Sequence, residues 1–336
     1  MNRSVLRTRP SLSRRKFTAM VGLGAASAAL TTWAPAALAQ ARYPTKPVRL
    51  VVPFPAGTSP DVMARLWAER FAKSTGQAVV VDNKPGAGTI IAAQAVAAAV
   101  PDGYTLFWTV NNTFSINPFI YRSLPYKADD FVPVTRILSV PFVLVVSAES
   151  KIHTLDDLVR EAKARPGALN YASPGIGTSP HVIMARLLNA VGVTMTHIPY
   201  KEAYMPDVIG QRIDVAFDAT TTVIGQLKGG RIRALGLSSP ARVEALKEVA
   251  PIADAVPGFA GESWHGVFAP KGTPDELVAS IVDHSQRIVD AADFRSALVG
   301  YGLVPVGGSA ETFRRFLVDD ARGWSQVIKA NQITID

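Results

Sequence analysis

The sequence lacks cysteine altogether, and this absence excludes several classes of chemistry. None of its 336 residues is Cys, so disulfide bonds, thiolate metal sites and cysteine nucleophiles are excluded. A lipid-modified cysteine at the end of an export signal is excluded for the same reason. Stability must therefore come from an apolar core, and a chain of this length can bury a large one.

Long apolar runs are also missing, apart from one near the N-terminus. The run from Ala19 to Leu30 is shorter than the ~20 residues that a membrane-spanning helix needs. It follows a basic region without acidic residues and precedes Ala37-Leu38-Ala39, which is typical of a cleaved export signal over residues 1–39. The segment Ser13-Arg14-Arg15-Lys16-Phe17 resembles the twin-arginine signal. The sequence thus predicts a soluble protein of the periplasm.

Most of the positive charge belongs to this signal. The formal net charge is +8, and six basic residues within 1–39 supply six of these charges, which leaves +2. No stripe of Lys and Arg with interleaved aromatic residues follows, so we expect no nucleic-acid partner. The scattered histidines lack metal-ligand spacing, and no zinc, phosphate-loop or complete dinucleotide motif is present. We therefore expect no metal and no cofactor.

Two loops that are far apart in the sequence share one layout. Residues 53–61 and 171–181 each follow an apolar run, contain glycine and include a Ser-Pro pair at the start of an amphipathic stretch. Serine at the N-cap with proline at the first helical position favours a helix start, and glycine lets backbone N–H groups approach a ligand. Because a helix N-terminus carries free N–H groups and partial positive charge, each loop suits a carboxylate or phosphate. The pair predicts a cleft that holds an anion from both sides.

Short β-branched runs alternate with helical patterns, which predicts an α/β architecture with mostly parallel sheets. The predicted strands are 48–52, 79–81, 104–110, 142–146, 169–172, 196–198, 215–217 and 234–237, and the predicted helices start near 59, 88, 154, 179, 205 and 221. Two long helices, 275–291 and 310–329, follow. We predict two lobes, the first formed by 40–142 and 264–336 and the second by 143–263. The two segments that cross between them can act as a hinge.

Ordered sequence blocks along the chain carry a family resemblance. They are Pro53-Phe54-Pro55-Ala56-Gly57, Asn83-Lys84-Pro85-Gly86-Ala87-Gly88, Pro101-Asp102-Gly103-Tyr104-Thr105-Leu106, Ile116-Asn117-Pro118, Leu124-Pro125-Tyr126, Tyr171-Ala172-Ser173, Gly177-Thr178-Ser179-Pro180-His181, His197-Ile198-Pro199-Tyr200-Lys201, Phe217-Asp218, Arg233-Ala234-Leu235 and Phe268-Ala269-Pro270. In these blocks the sequence resembles the Bug family, the substrate-binding proteins of tripartite tricarboxylate transporters. The resemblance implies a type II periplasmic binding-protein fold, whose two α/β lobes close on a small organic acid and deliver it to membrane permease subunits. We expect a monomer that is not an enzyme.

The resemblance places the ligand on the same two loops. Backbone N–H groups and loop hydroxyls would hold a carboxylate, each charge-assisted bond contributing about 1.5–3 kcal/mol, although a hydroxyl can instead cap its helix. Asp61 either interacts with its own helix dipole or contacts the ligand, and Asp218 either holds an ammonium group or orients the turn that follows it. We expect His181 and His265 to face the cleft. The candidate ligand-binding residues are Phe54, Ala56, Gly57, Thr58, Ser59, Asp61, Thr89, Asn111, Ser173, Gly177, Thr178, Ser179, His181, Asp218 and His265.

Departures from the family pattern bear on the ligand. Phe114, Ile90 and Ala185 stand where relatives often carry polar residues, which favours a flat aromatic acid such as terephthalate. The alternative is drift around an ordinary aliphatic dicarboxylate. Two other functions stay open: a sensor that presents the bound acid to a receptor histidine kinase, and a periplasmic hydrolase. The hydrolase is disfavoured because the segment 261–265 fails the last position of the Gly-x-Ser-x-Gly elbow.

Overall fold

A computed structural model describes residues 43–335. The predicted export signal, residues 1–39, lies outside the described residues. The strands are β1 Val48–Val52, β2 Val79–Asn83, β3 Thr105–Val110, β4 Phe131–Ser147, β5 Asn170–Ser173, β6 Thr196–Pro199, β7 Val215–Ala219, β8 Ile232–Leu237, β9 Glu262–Pro270 and β10 Val304–Pro305. The helices are α1 Ser59–Thr75, α2 Ile90–Ala97, α3 Asn117–Ile120, α4 Leu155–Ala164, α5 Ser179–Val191, α6 Met205–Ile209, α7 Thr220–Lys228, α8 Asp275–Asp290, α9 Ala292–Gly300 and α10 Ala310–Ala330.

The strands form two halves that share the 17-residue strand β4. In the first half β2, β1 and β3 run parallel, and β9 joins them antiparallel. In the second half β6, β5 and β7 run parallel, and β4 pairs antiparallel with β7 and β8. The prediction of mostly parallel sheets is therefore wrong in part. The sheet is mixed because the long strands β4 and β9, which pair along much of their length, run against their neighbours.

Most predicted elements are confirmed to within a few residues, but β9, β10, α3, α9 and the first part of β4 were not predicted. Only 142–146 within β4 was expected to be a strand. Pro133 and Pro141 interrupt the strand pattern, and a proline normally argues against a paired strand. The sheet accommodates the first of them with a register shift between Pro133 and Thr135.

Separate groups of apolar side chains form the core of each half. Trp67 and Phe71 of α1 pack with Trp108 of β3 in the first half, and all three side chains are fully buried. Met63 belongs to the same buried face, whereas its neighbour Val62 is 38% exposed. One helix position displaces a side chain by about 100°, so Val62 points away from the buried face.

The second half has its own core, to which the last helix contributes. Val182 and Ile183 of α5 and Phe217 of β7 pack there, together with Trp324 and Ile328 of α10. The final helix therefore packs against elements of the segment 143–263 as well as against β4. The lobe boundaries given above remain a prediction. No helix in the part of the chain that the structure describes has the length and apolar character needed to span a bilayer.

Candidate ligand-binding site

The first loop joins β1 to α1 and is held by hydrogen bonds within itself. Gly57 has a left-handed backbone, with φ of +83°, and its N–H donates to Asp61 Oδ2 at 2.8 Å. The Thr58 hydroxyl donates to the Pro55 carbonyl at 2.7 Å. Because the glycine N–H and the threonine hydroxyl are both engaged, the donors that remain are those of the first helical turn.

Asp61 organises this loop. Its side chain is 1% exposed, and both carboxylate oxygens accept hydrogen bonds. Arg65 Nε donates to Oδ2 at 2.9 Å, and Asn83 Nδ2 donates to Oδ1 at 2.7 Å and to the carbonyl of half-buried Phe54 at 2.9 Å. Burial alone would raise the pKa of Asp61, but the hydrogen bonds from Arg65, Asn83 and Gly57 outweigh it and lower the pKa. Asp61 is thus an ionised anchor with its acceptors occupied.

The second loop joins β5 to α5 and repeats this geometry. Gly177 has φ of +75°, and its N–H donates to His181 Nδ1 at 3.1 Å. The Thr178 hydroxyl donates to the Gly175 carbonyl at 2.8 Å. In both loops a left-handed glycine therefore donates to the side chain four residues later, and the following threonine hydroxyl turns back to the residue three positions earlier.

The helix-start prediction is wrong by one residue in both loops. The N-caps are Thr58 and Thr178, neither of which caps through its side chain, and Ser59 and Ser179 are the first helical residues. Proline therefore occupies the second helical position, where its missing N–H leaves no donor unsatisfied. The free donors of each first turn are the N–H groups at its first and third positions.

A stack of rings supports the second loop. The imidazoles of His181 and His197 lie face to face, with centroids 4.0 Å apart and planes inclined by 7°, and Tyr171 continues the stack at 4.8 Å from His197. His197 Nε2 lies 2.7 Å from the Ser173 hydroxyl, which also accepts the Gly175 N–H at 3.1 Å. Burial, and secondarily His197, lowers the pKa of His181 to about 4, and burial lowers that of His197 to about 4. Both rings are therefore neutral near pH 7.

Asn111 lies where the two halves meet. It follows β3 and is fully buried, and its Oδ1 accepts from the hydroxyls of Ser179 at 3.1 Å and Ser263 at 2.5 Å. Its Nδ2 is buried and finds no acceptor among the described residues. The neighbouring Asn112 donates from Nδ2 to the Gly177 carbonyl at 3.2 Å. These contacts attach the second loop to the end of β3.

A third segment with unusual backbone conformation precedes α2. Residues 86–89 all have positive φ, and for Thr89 the value is +86°. The Thr89 hydroxyl accepts from the Thr113 hydroxyl at 2.8 Å, and Asn117 Nδ2 donates to the Gly88 carbonyl at 2.7 Å. Such conformations persist only when surrounding contacts hold them. The Thr89 hydroxyl is thus part of a buried network that fixes this segment.

Asp218 lies at the end of β7, beside the start of α7. Burial raises its pKa to about 6, although hydrogen bonds from the Ala219 N–H, Tyr204 and Thr222 oppose this effect. The Ala219 N–H donates to Asp218 Oδ1 at 2.7 Å. Nearby, the buried Thr220 hydroxyl has no partner among the described residues. These hydrogen bonds attach Asp218 to the turn that follows it, and its role in orienting this turn stays a prediction.

His265 was expected to face the cleft, but the structure buries it in the first half. It is 3% exposed, its ring forms a T-shaped contact with that of Trp108 at a centroid distance of 5.6 Å, and burial lowers its pKa to about 3. Phe114 is also a core residue, with its ring 4.4 Å from that of Phe268. Ala185 is buried in the core of the second half. Apolar neighbours thus explain Phe114 and Ala185 without a ligand, whereas the Nδ1 of His265 is buried with no partner among the described residues.

The other candidate residues fall mostly on the two loops. Ala56 is exposed in the first loop, and Ser59 and Thr178 are half-buried. Sequence reasoning missed His197, Asn112 and Ser263. For His197 a signal exists, because parallel pairing of β5 with β6 places it opposite Tyr171, two residues before Ser173.

The fold and the two loops define a class of protein. Two α/β halves joined by the crossing strands β4 and β9, each with a glycine loop at a helix N-terminus, form the two-lobed fold of periplasmic binding proteins. R. palustris Rpa4515, solved with adipate, has a TM-score of 0.80 and 33% identity over 87% of this chain and 99% of its own. MatC of Rhodopseudomonas palustris, solved with bound malate, has a TM-score of 0.75 and 26% identity over 85% and 100%.

The particular family follows from the sequence comparisons. Residues 62–333 match the model described as tripartite tricarboxylate transporter family receptor, and the chain belongs to this family. A UPF0065 protein in the tcbD-tcbE intergenic region of Pseudomonas sp. strain P51 is 36% identical over 95% of this chain and 94% of its own length. Protein BugT of Bordetella pertussis is 30% identical over 95% and 98%. The resemblance to the Bug family is thereby confirmed.

Proposed function

We propose that this chain is a periplasmic receptor that binds a small dicarboxylate between its two glycine loops and delivers it to membrane permease subunits of a tripartite transporter. Membership of the receptor family and the export-signal pattern support this role. The loops contain no Lys or Arg, so the ligand would be held by N–H groups, hydroxyls and amides. Free N–H groups at helix N-termini suit carboxylates.

The observation that carries the proposal is the buried amide of Asn111. Its Oδ1 is engaged by one serine from each side, Ser179 and Ser263, while Nδ2 has no acceptor among the described residues. A buried donor without a partner costs about 1–3 kcal/mol. A ligand carboxylate placed between the loops would accept this N–H and remove the cost.

We propose an aliphatic dicarboxylate as the ligand. Adipate and malate are bound by the two R. palustris proteins that share this fold. The sequence argument for an aromatic acid rested on Phe114, Ile90 and Ala185, but all three pack against apolar neighbours in the two cores. An aromatic dicarboxylate such as terephthalate is the competing ligand.

A hydrolase is the rival function, because the Ser173 hydroxyl lies 2.7 Å from His197 Nε2, as a nucleophile and its base would. However, Ser173 is fully buried, and its hydroxyl is already bonded within the loop to Gly175. The low pKa of His197 makes it a weak base. No observation on this pair favours catalysis over support of the loop.

Isothermal titration of the protein with adipate, malate, citrate and terephthalate tests the proposal. We expect binding of an aliphatic dicarboxylate and a loss of about a hundredfold or more in Asn111→Asp. This variant keeps an oxygen for Ser179 and Ser263 but replaces the Nδ2 donor with an oxygen that repels the ligand. Asn189→Asp, at an exposed position near the end of α5, is the matched control and should bind normally.

Two results would contradict the proposal. If no acid binds, the ligand class is wrong, and if Asn111→Asp binds as tightly as the wild type while remaining folded, the site is wrong. Preferential binding of terephthalate would overturn only the aliphatic assignment. Uptake of radiolabelled ligand in a deletion strain, measured beside induction of catabolic genes, separates transport from sensing.

A further inference from the structure

The two ligand loops use chemically different groups for the same structural task. In each, a left-handed glycine donates its N–H to a side chain four residues later. The acceptor in the first loop is the Asp61 carboxylate, which Arg65 and Asn83 also bind. The acceptor in the second loop is the Nδ1 of neutral His181. An imidazole can accept this hydrogen bond only while Nδ1 carries no proton.

The contacts of His181 favour its neutral form. The ring of His197 lies 4.0 Å away and parallel, so two imidazolium charges would face each other across van der Waals distance. Tyr171, from β5, is the other titratable group in ring contact with it, at 6.3 Å. Among the carboxyl groups on the remaining packed elements, Asp218 at the end of β7 and Asp320 on α10 are half-buried, whereas Glu311 and Asp319 on α10 are exposed.

We propose that His181 is the positioning residue of the second ligand loop, and that its unprotonated Nδ1, through the Gly177 N–H, holds the turn that presents the first-turn donors of α5 to the ligand. This rests on the proposed function, because it assigns a role within the same site. His181 does not itself contact the ligand in this arrangement, which revises its expected role. Protonation of Nδ1 removes the acceptor and releases the turn.

A distinct pH dependence follows. Burial lowers the pKa of His181 and His197 from 6.5 to about 4, so the unfolded chain binds more protons than the folded chain between these values. The stability contributed by the neutral pair is fully present above about pH 6.5 and is lost as the pH falls towards 4. Ligand affinity should fall over the acidic part of this range as the second loop loses its acceptor.

The test compares two substitutions of His181 in protein purified from cells that express the full chain. His181→Asn keeps a neutral acceptor at the δ position, whereas His181→Leu removes it. In ligand-free protein we expect the Gly177 amide to exchange about tenfold faster or more in His181→Leu and at the wild-type rate, within about threefold, in His181→Asn. His153→Asn, at an exposed histidine, is the matched control for the loss of a histidine.

The affinity profile supplies the second readout. At pH 7 His181→Leu should bind adipate about tenfold more weakly, and His181→Asn should stay within about threefold of the wild type. Between pH 6 and 4 the wild type should lose more affinity than His181→Asn. Protonation of the ligand weakens binding to both proteins equally, but only the wild type also loses its Nδ1 acceptor. Asp218→Asn should keep the wild-type slope below pH 5, which separates the effect of His181 from that of Asp218, whose pKa burial raises to about 6.

Unchanged Gly177 exchange in folded His181→Leu would overturn the inference, and so would equal pH profiles for the wild type and His181→Asn. If the wild type binds none of the acids, the proposed function fails. The Gly177 exchange rates, which are measured without ligand, still decide the role of His181 in that case.

Discussion

At the scale of single residues, the loops depend on buried polar side chains that accept several hydrogen bonds each. Asp61 illustrates this, because each oxygen of its carboxylate accepts from a different group of the loop or of β2. Its importance could not be predicted from the sequence alone, since the partner Asn83 lies far along the chain and reaches Asp61 only when β1 and β2 pair. The sequence left its ligand and dipole roles open, and the structure gives it the task of anchoring the loop.

Replacement of Asp61 by alanine tests this role. The change leaves the Gly57 N–H and Asn83 Nδ2 without their acceptor, and each unmade buried hydrogen bond costs about 1–3 kcal/mol. We expect a clear loss of unfolding free energy in urea titration and at least a tenfold loss of ligand affinity. Glu69→Ala is the matched control, because this exposed acid of the same helix forms a surface pair with Lys73 that contributes little. Equal effects of the two substitutions would contradict the assignment.

The contribution of Asp61 to stability depends on pH for the opposite reason to that of His181. Hydrogen bonds lower the pKa of Asp61 below 3.8, so its contribution to stability is present above that value and is lost only as the pH falls through the lower folded-state pKa. We therefore expect the wild type to lose stability as the pH falls below about 4, measured by thermal unfolding, and Asp61→Ala to lack this loss. The decline between pH 6.5 and 4 should remain.

At the scale of elements, the loop–helix units were the most predictable part of the fold. Glycine followed by Ser-Pro marked both helix starts, with an error of one residue, because local backbone chemistry governs these positions. The full length of β4 could not be predicted in this way, because prolines argue against a paired strand and the register shift beside Pro133 arises only in the pairing with β9, a strand distant in sequence. The hydrogen bonds of Asn111 could not be predicted either, because its partners Ser179 and Ser263 belong to elements distant in sequence.

The two loop glycines allow a matched pair of substitutions. Both have positive φ, so alanine at either position should cost about 1–2 kcal/mol. A Cβ at Gly57 would meet nothing within 4 Å, whereas a Cβ at Gly177 would clash with Ile120 Cδ1. We expect Gly177→Ala to lower the urea midpoint and ligand affinity more than Gly57→Ala. The reverse order would contradict the packing of the second loop against α3.

At the scale of the whole molecule, we expect the two halves to approach each other around the ligand. Closure can be driven only by contacts that the ligand makes better in the closed state, and carboxylates held by both loops would provide them. The crossing strands β4 and β9 are where such a motion would bend.

The lack of native cysteine allows this motion to be measured directly. Cysteines at Ala56 and Ile176, which are exposed on the two loops, can carry a donor and an acceptor dye. We expect ligand to raise energy transfer between them and to leave unchanged the transfer between dyes at Ala56 and Val80, both of which lie in the first half. No response of the first pair at saturating ligand would contradict closure.

The proposed site places a carboxylate between the two glycine loops against Asn111. A crystal structure of the protein with its tightest-binding dicarboxylate shows whether a ligand lies there. We expect a carboxylate oxygen about 3 Å from Asn111 Nδ2, with the first-turn N–H groups of α1 and α5 around the ligand. A ligand found instead in the cavity of about 230 Å³ lined by Arg136, Arg186 and Trp264 would contradict it.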